Sequence, residues 1–287
     1  MLEVLRKLVR GENLYAVLLS SSFLLLYVLF QTTSIFGGDA GDLVSAAFVH
    51  GVAHPPGYPL YTFIGWLLTL LPFSTVAWRV GLLSSIPGAA TIGILFLVLK
   101  KYNVKTLPAI VAVTTLGVSY LFWLYSSVAE VFSLHVFFVV LLLFFLQLFV
   151  ETRKNKYIYL SALIFGLSLT HHHTILFIVP GYLFMVYPHV FEIKNKLTVF
   201  GRSFLLFFLG LTPYIYVFLA ASTNPAVNWE APTNLTGFIR LVSRAVYGTF
   251  STGSFHPFNK LDRYFQLSNV VNTLLLDFTN AGLILIG

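Results

Sequence analysis

Nine apolar runs separated by short polar segments occupy most of this sequence: residues 14–36, 60–72, 80–99, 107–124, 131–150, 157–170, 174–188, 203–221 and 270–286. An α-helix needs about 20 apolar residues, within roughly 17–25, to cross the hydrocarbon core of a bilayer. Lipid offers no partner for backbone N–H and C=O groups, so the spanning segments must satisfy them internally, as helices do. The sequence therefore predicts an all-α, polytopic transmembrane helix bundle of about eight spans. Run 60–72 is too short to cross and is bracketed by Pro59 and Pro72, so it reads as an interfacial or re-entrant helix. Run 157–170 is also short, but Tyr157 and the neighbouring basic cluster extend it into the interface. With 57% hydrophobic and 9% charged residues, the chain cannot cover its apolar surface as a soluble domain would. The first run is longer than a cleavable signal core and reads as a retained anchor. No repeat or linker divides the chain, which reads as a single domain over 1–287.

Basic residues set the expected orientation. With the N-terminus cytoplasmic, the inner segments carry Arg6, Lys7, Arg10, Lys100, Lys101, Lys105, Arg153, Lys154, Lys156, Lys194, Lys196 and Arg202, which is 12 of the 17. Arg79, Arg240, Arg244, Lys260 and Arg263 fall outside. Counting 60–72 as a span would invert every later segment and spoil this bias. The net charge of +7 is therefore topological, because its residues form short clusters between apolar runs, and no nucleic-acid partner is expected. The chain has no cysteine, which excludes disulfides and thiolate metal sites.

Most residues with chemical character fall on the outer side, in a first loop at 37–79, the turns at Ser126–Glu130 and His171–His173, and a long segment at 222–269. Asp39 and Asp42 stand at the mouth of a membrane helix, among Gly37, Gly38 and Gly41. Carboxylates at a bilayer boundary are costly and mark function. Asp39 alone could simply cap the helix beginning LVSAAFVH. As a pair beside apolar surface, the aspartates are expected to have raised proton affinity, as a general base needs. The same pair is able to hold a divalent cation together with phosphate oxygens. His54 and Tyr58 lie in the rigid turn HPPGYP, where His54 either starts the re-entrant helix or donates to a phosphate or leaving oxygen. Glu130 either serves a helix N-terminus or faces the same cavity as Asp39. His171, His172 and His173 diverge on a helix and cannot converge on one metal, so no metal site is expected there, and one of them faces the cavity. Arg79, Arg240 and Arg244 are read as headgroup anchors or bidentate phosphate ligands. Asn234-Leu235-Thr236 matches a glycosylation acceptor but is a common triplet.

The stretch GGDAGDLVSAAFVHGVAHPPGYPLYTFIG (37–65) resembles the opening of a family of polytopic membrane proteins whose animal member is an endoplasmic-reticulum O-mannosyltransferase acting on plexins and related receptors. The resemblance continues, in order, through AWRVGLLSS (77–85), SSVAEVFSLH (126–135), GLSLTHHHTILFIVPG (166–181) and NWEAPTNLTGFIRLVSRAVYGTF (228–250), which adds Trp229 to the candidate substrate-binding residues. It implies a GT-C glycosyltransferase architecture, with an acidic catalytic motif and short juxtamembrane helices in the first outer loop. Asp39 matches the family's first acidic position, Asp42 stands where Glu is usual, and Ala40 stands where Ser is usual. Family members commonly continue with further helices and a soluble C-terminal part, so the chain is expected to be C-terminally truncated relative to them.

The expected function is inverting transfer of a sugar, mannose foremost, from a polyprenyl-phosphate donor to a hydroxyl of a protein or glycan acceptor. The reaction would take place on the non-cytosolic face of the plasma membrane in a prokaryote, or of the endoplasmic reticulum in a eukaryote. Asp39 and Asp42 are the expected catalytic pair. His54, Tyr58, Arg79, Glu130, His172, His173, Trp229, Arg240 and Arg244 are expected to contact substrate, and membrane lipids surround the rest. The alternatives are a transporter or lipid flippase and an inactive scaffold. A transporter would require polar groups deep in its spans, and the runs between 80 and 221 are almost free of internal charge.

Overall fold

The computed structural model of the chain describes residues 11–248 and 260–277. The remaining residues, together with the side chains of 260–263, 273, 274, 276 and 277, lie outside the described part, which leaves Lys260, Asp262, Arg263 and Asp277 there. Every named element is a helix. In chain order they are α1 (Glu12–Phe30), α2 (Ala40–Phe48), α3 (Pro59–Thr69), α4 (Val76–Lys101), α5 (Thr106–Val118), α6 (Tyr120–Ser127), α7 (Phe132–Thr152), α8 (Lys156–Leu169), a 3-10 turn (His173–Ile178) leading into α9 (Val179–Val190), α10 (Lys196–Gly210), α11 (Tyr214–Ser222), α12 (Leu235–Val242), a short 3-10 turn (Ala245–Tyr247) and α13 (Lys260–Asp277).

Five helical stretches are long and apolar enough to cross a bilayer: α1, α4, α7, His173–Val190 and Lys196–Ser222. A sixth forms if α5 and α6, bent by 62° at Ser119, count as one span. Helix α8, with 14 residues, is shorter than a straight span requires. The described part thus holds five or six spans where about eight were expected, and the last predicted run, 270–286, falls mostly beyond Asp277. The short run at 60–72 forms the 11-residue α3, which is too short to cross.

Helix α4 is the hub, packing against α1, α7, α5 and α3. Small residues let it do so. A Cβ on Gly93 would lie 2.6 Å from the Ala16 carbonyl oxygen, so α1 and α4 touch backbone to backbone there. One core gathers Leu43, Ala47, Tyr61, Val80, Leu134 and Leu142 beneath the first loop, and a second joins Phe23, Tyr27, Ile92, Phe96 and Val113 along the spans. At one end of the bundle, charges pair across turns: Lys101 with Glu151 at 2.7 Å and Arg153 with Glu192 at 2.6 Å. The opposite end carries α2, α3 and the acidic and histidine-rich turns. Sequence clusters expected on two different sides are therefore separated by the length of the bundle.

Candidate active site

Asp39 occupies the N-cap position of α2, yet its side chain makes no capping hydrogen bond. The carboxylate is instead 58% exposed and turned toward His54, with His54 Nε2 at 3.5 Å from Oδ2. One helical turn on, the same face presents Asp42. Asp42 Oδ2 accepts from the His54 backbone N–H at 2.8 Å and pairs with His54 Nδ1 at 2.7 Å, while Oδ1 accepts from Trp229 Nε1 at 2.8 Å. His54 thus bridges the two aspartates, with Asp42 fully engaged and Asp39 open.

The local chain path explains this. The Gly57 N–H closes the turn on the His54 carbonyl at 2.8 Å, and Gly57 has φ +93°, a region that excludes most side chains. A Cβ there would also meet Leu241 Cδ2 at 2.8 Å, so α12 packs directly on the turn. Residues 227–229 run parallel to 52, with Val52 N–H to Val227 O at 2.9 Å and Trp229 N–H to Val52 O at 3.3 Å. This strap carries the Trp229 indole to Asp42. It needs Gly51, because a Cβ on that residue would fall 2.2 Å from the Val227 oxygen.

Electrostatics follow from the bridge. Burial works against a charged His54, but hydrogen bonds and the charges of Asp39 and Asp42 prevail and raise its pKa to about 9. Asp39 is held below its ordinary value, chiefly by its hydrogen bond to His54. Asp42 is depressed as well: burial opposes this, and the bonds from His54 and Trp229 outweigh it. The expectation of raised proton affinity at the aspartates is therefore corrected, because an imidazolium between them favours both charges. Raised affinity belongs to Glu130. Burial, reinforced by the charge of Asp39, pushes it up to about 7. Glu130 is only 4% exposed and is fixed by Ser84 of α4, whose hydroxyl donates to its carbonyl at 2.9 Å and accepts from its N–H at 3.1 Å.

Beyond His54 lies an aromatic and basic wall. The Tyr58 ring sits 5.1 Å from His54 and 5.9 Å from His172. His172 Nδ1 accepts from the Thr174 N–H at 3.3 Å, which leaves Nε2–H as its donor. Burial, with His135, His173 and Arg244 nearby, pushes His172 down to about 4, so the ring is neutral. Arg244 lies within electrostatic reach of Tyr58, His172 and His173 and stacks 5.6 Å from the Tyr247 ring. It forms no carboxylate pair among the described residues, and its Nε is buried without a hydrogen-bond partner. The three adjacent histidines diverge: His171 Nε2 donates to Val131 O at 2.8 Å, His172 faces Tyr58, and His173 Nε2 meets the Tyr214 hydroxyl at 2.9 Å.

The structure brings together Asp39, Asp42, His54, Tyr58, Glu130, His172, Trp229 and Arg244. It does not bring Arg79 or Arg240 to them. The Arg79 guanidinium donates to the Thr69 carbonyl at 2.7 Å and to that of Leu71, finishing the C-terminus of α3. Arg240 is exposed and pairs with Glu230 at 2.8 Å. His173 borders the wall, but its ring is engaged by Tyr214. Among the described residues, no three His, Asp or Glu side chains assemble as a metal site. An imidazolium between the aspartates is also a poor fit to a divalent cation. Sequence reasoning missed Tyr125, His135 and Tyr247. His135 and Tyr247 fall inside the family-like stretches 126–135 and 228–250, a signal that was available, whereas Tyr125 reads as an ordinary helix residue.

The profile of the protein O-mannosyl-transferase TMEM260 N-terminal domain matches residues 39–195. Protein O-mannosyl-transferase TMEM260 of Mus musculus is 37% identical over 246 residues, covering 82% of this chain and 35% of the mouse protein. The Dictyostelium discoideum protein of the same description is 29% identical over 292 residues, covering 94% of this chain and 35% of its own length. The chain thus spans about a third of the length of the curated relatives it matches. No solved structure matches.

Proposed function

The chain belongs to the protein O-mannosyl-transferase TMEM260 N-terminal domain family, and from that premise we propose that it forms the catalytic membrane part of a protein O-mannosyltransferase. In this reading it transfers mannose from a polyprenyl-phosphate donor to a Ser or Thr hydroxyl on the non-cytosolic face. The observation that carries the proposal is the His54 bridge, which leaves one anchored and one open aspartate, with Arg244, which has no carboxylate partner among the described residues, within electrostatic reach of Tyr58. The bias of basic residues toward the opposite end of the bundle supports the membrane face.

Each group then has a task. Asp39, exposed and uncapped, accepts a hydrogen bond from the acceptor hydroxyl and takes its proton as the new C–O bond forms. A carboxylate of low proton affinity suffices here, because the attacking hydroxyl becomes strongly acidic once it bonds to the anomeric carbon. The sugar–phosphate bond breaks on the opposite face, which inverts the anomeric centre. The departing phosphate gains charge that Arg244 and the Nε2–H of His172 are placed to meet. Asp42, held by His54 and Trp229, is a positioning residue that fixes the imidazolium and through it Asp39. No step is routed through a metal ion.

The test is transfer of labelled mannose from polyprenyl-phosphate mannose to a Ser/Thr-bearing polypeptide in membranes containing the chain. The expected result is transfer by the wild type and loss of at least about a hundredfold in Asp39→Asn, the lower range for a general base. Unchanged transfer by that variant would remove Asp39 from its role.

A further inference from the structure

Two side chains next to His172 have no part in the roles assigned so far. His135 stands on the first turn of α7, its ring 4.9 Å from that of His172. Thr174 stands on the 3-10 turn that His172 opens. The Thr174 hydroxyl oxygen lies between the two rings, 2.7 Å from His172 Nδ1 and 3.2 Å from His135 Nε2. Its backbone N–H reaches the same Nδ1 at 3.3 Å.

Counting donors and acceptors gives these contacts a direction. A neutral imidazole has one N–H and one bare nitrogen. The Thr174 N–H can only donate, so Nδ1 of His172 is bare and Nε2 holds the proton. The Thr174 hydroxyl then donates to Nδ1 as well, by the shorter of the two contacts. Its oxygen is left to accept, and His135 Nε2–H is the donor within reach. A proton on Nδ1 of His135 would be buried with no acceptor, because that atom has no hydrogen-bond partner among the described residues. The bonds therefore run one way, from His135 through Thr174 to His172, and leave the Nε2–H of His172 unspent beside Tyr58.

Resting on the function proposed above, we propose that His135 and Thr174 are positioning residues for mannosyl transfer, holding His172 in the tautomer that turns an N–H, and not a bare nitrogen, to the departing phosphate. An imidazole released from these bonds has two tautomers, and one of them sets a lone pair against the anion. No proton moves along the chain of bonds; it fixes a donor in advance of the charge that develops.

Thr174 is exposed, so Thr174→Val removes the hydroxyl without opening a buried core. It should lower kcat for transfer from polyprenyl-phosphate mannose about ten- to a hundredfold, the worth of a hydrogen bond to a charged group. KM for that donor should stay near the wild-type value, because the bond strengthens as the phosphate leaves. Thr174→Ser keeps the hydroxyl and should recover the rate. His135→Phe should also lose rate, and combining it with Thr174→Val should cost no more than Thr174→Val alone, because both act through one bond. No loss in Thr174→Val, an equal loss in Thr174→Ser, or a loss confined to KM would overturn the positioning role while leaving the transfer reaction standing. The tautomer is read separately, by imidazole nitrogen NMR on isotope-labelled protein in detergent, with the His172 signals identified by their absence in His172→Gln. Wild type and Thr174→Ser should show a bare Nδ1 and a protonated Nε2, and Thr174→Val a mixture. A protonated Nδ1 in wild type, or an unchanged pattern in Thr174→Val, refutes the proposal whether or not turnover occurs.

Discussion

The bridging imidazolium predicts a specific pH dependence of stability. His54 has its pKa raised from 6.5 to about 9 in the folded chain. Below pH 6.5 both folded and unfolded chains carry the proton, and its stabilisation is fully present. As pH climbs through 9, the folded ring loses its charge and the stabilisation disappears. At about 1.4 kcal/mol per pH unit, the interval from 6.5 to about 9 corresponds to about 3 kcal/mol. Because Asp39 is 58% exposed, solvent screening reduces the expected loss to about 2 kcal/mol. For a chain of this size that is a fall of roughly 4–8 °C in apparent melting temperature. His54→Asn retains a donor for Asp42 but cannot titrate, so it should melt lower than wild type at pH 6.5 and show none of this fall. The assay is thermal unfolding in detergent at pH 6.5, 8 and 9.5 for both proteins. Parallel pH dependence in wild type and variant would refute the bridge as a charged one.

Glu130 also loses stability with rising pH, but at lower pH and because burial disfavours its ionised form. Its folded pKa, raised from 4.5 to about 7, makes wild type lose stability as pH rises through that window, so Glu130→Gln should gain on wild type between pH 5 and 8 in melts extended down to pH 5. Trp229→Phe keeps a ring beside His54 but deletes the N–H that Asp42 accepts. A hydrogen bond to a charged group is worth about 1.5–3 kcal/mol, so kcat/KM for mannosyl transfer should fall roughly ten- to a hundredfold, and unchanged kinetics would exclude the positioning role. Gly51→Ala puts a Cβ 2.2 Å from the Val227 oxygen, an overpacking of about 1–3 kcal/mol. It should expose residues 222–234 to limited proteolysis, whereas Gly181→Ala, with open space around its Cβ, should not.

The legible part of the fold was the part written in hydropathy. The length of each apolar run separates the crossing helices α1, α4 and α7 from the short α3, and prolines mark the ends of the latter. The break at Ser119 was not read from the sequence, because Gly117 and Ser119 are its only local marks and such small residues also pass through unbroken membrane helices. It depends on Tyr27, a residue 90 positions away, to satisfy the freed Gly117 carbonyl. Within the site, Asp39, Asp42 and His54 could be named from three residues' spacing and a rigid turn. Their order of proton affinity could not, because it depends on which carboxylate the imidazole reaches and which one is buried. The outer arginines show the same limit. Arg79, Arg240 and Arg244 are equivalent as sequence, yet helix α3 occupies the first, Glu230 the second, and only the third keeps a buried nitrogen without a partner.

That difference bears on how a site at a bilayer edge tolerates so much charge. Two aspartates and an imidazolium sum to a single negative charge, and Arg244 lies within electrostatic reach of Tyr58 beside them, so the site is near neutrality. Glu130 avoids adding a second negative charge by holding its proton up to about pH 7. An incoming phosphate would then meet an arginine with no carboxylate partner among the described residues, and an ionised Glu130 would be the main group opposing it. Donor affinity should therefore weaken as pH rises through 7 in wild type and stay level in Glu130→Gln, measured as KM for the polyprenyl-phosphate donor between pH 6 and 8. A wild-type KM that is flat across that interval would mean that Glu130 does not face the phosphate, and that the neutrality of the site is set by the His54 bridge alone.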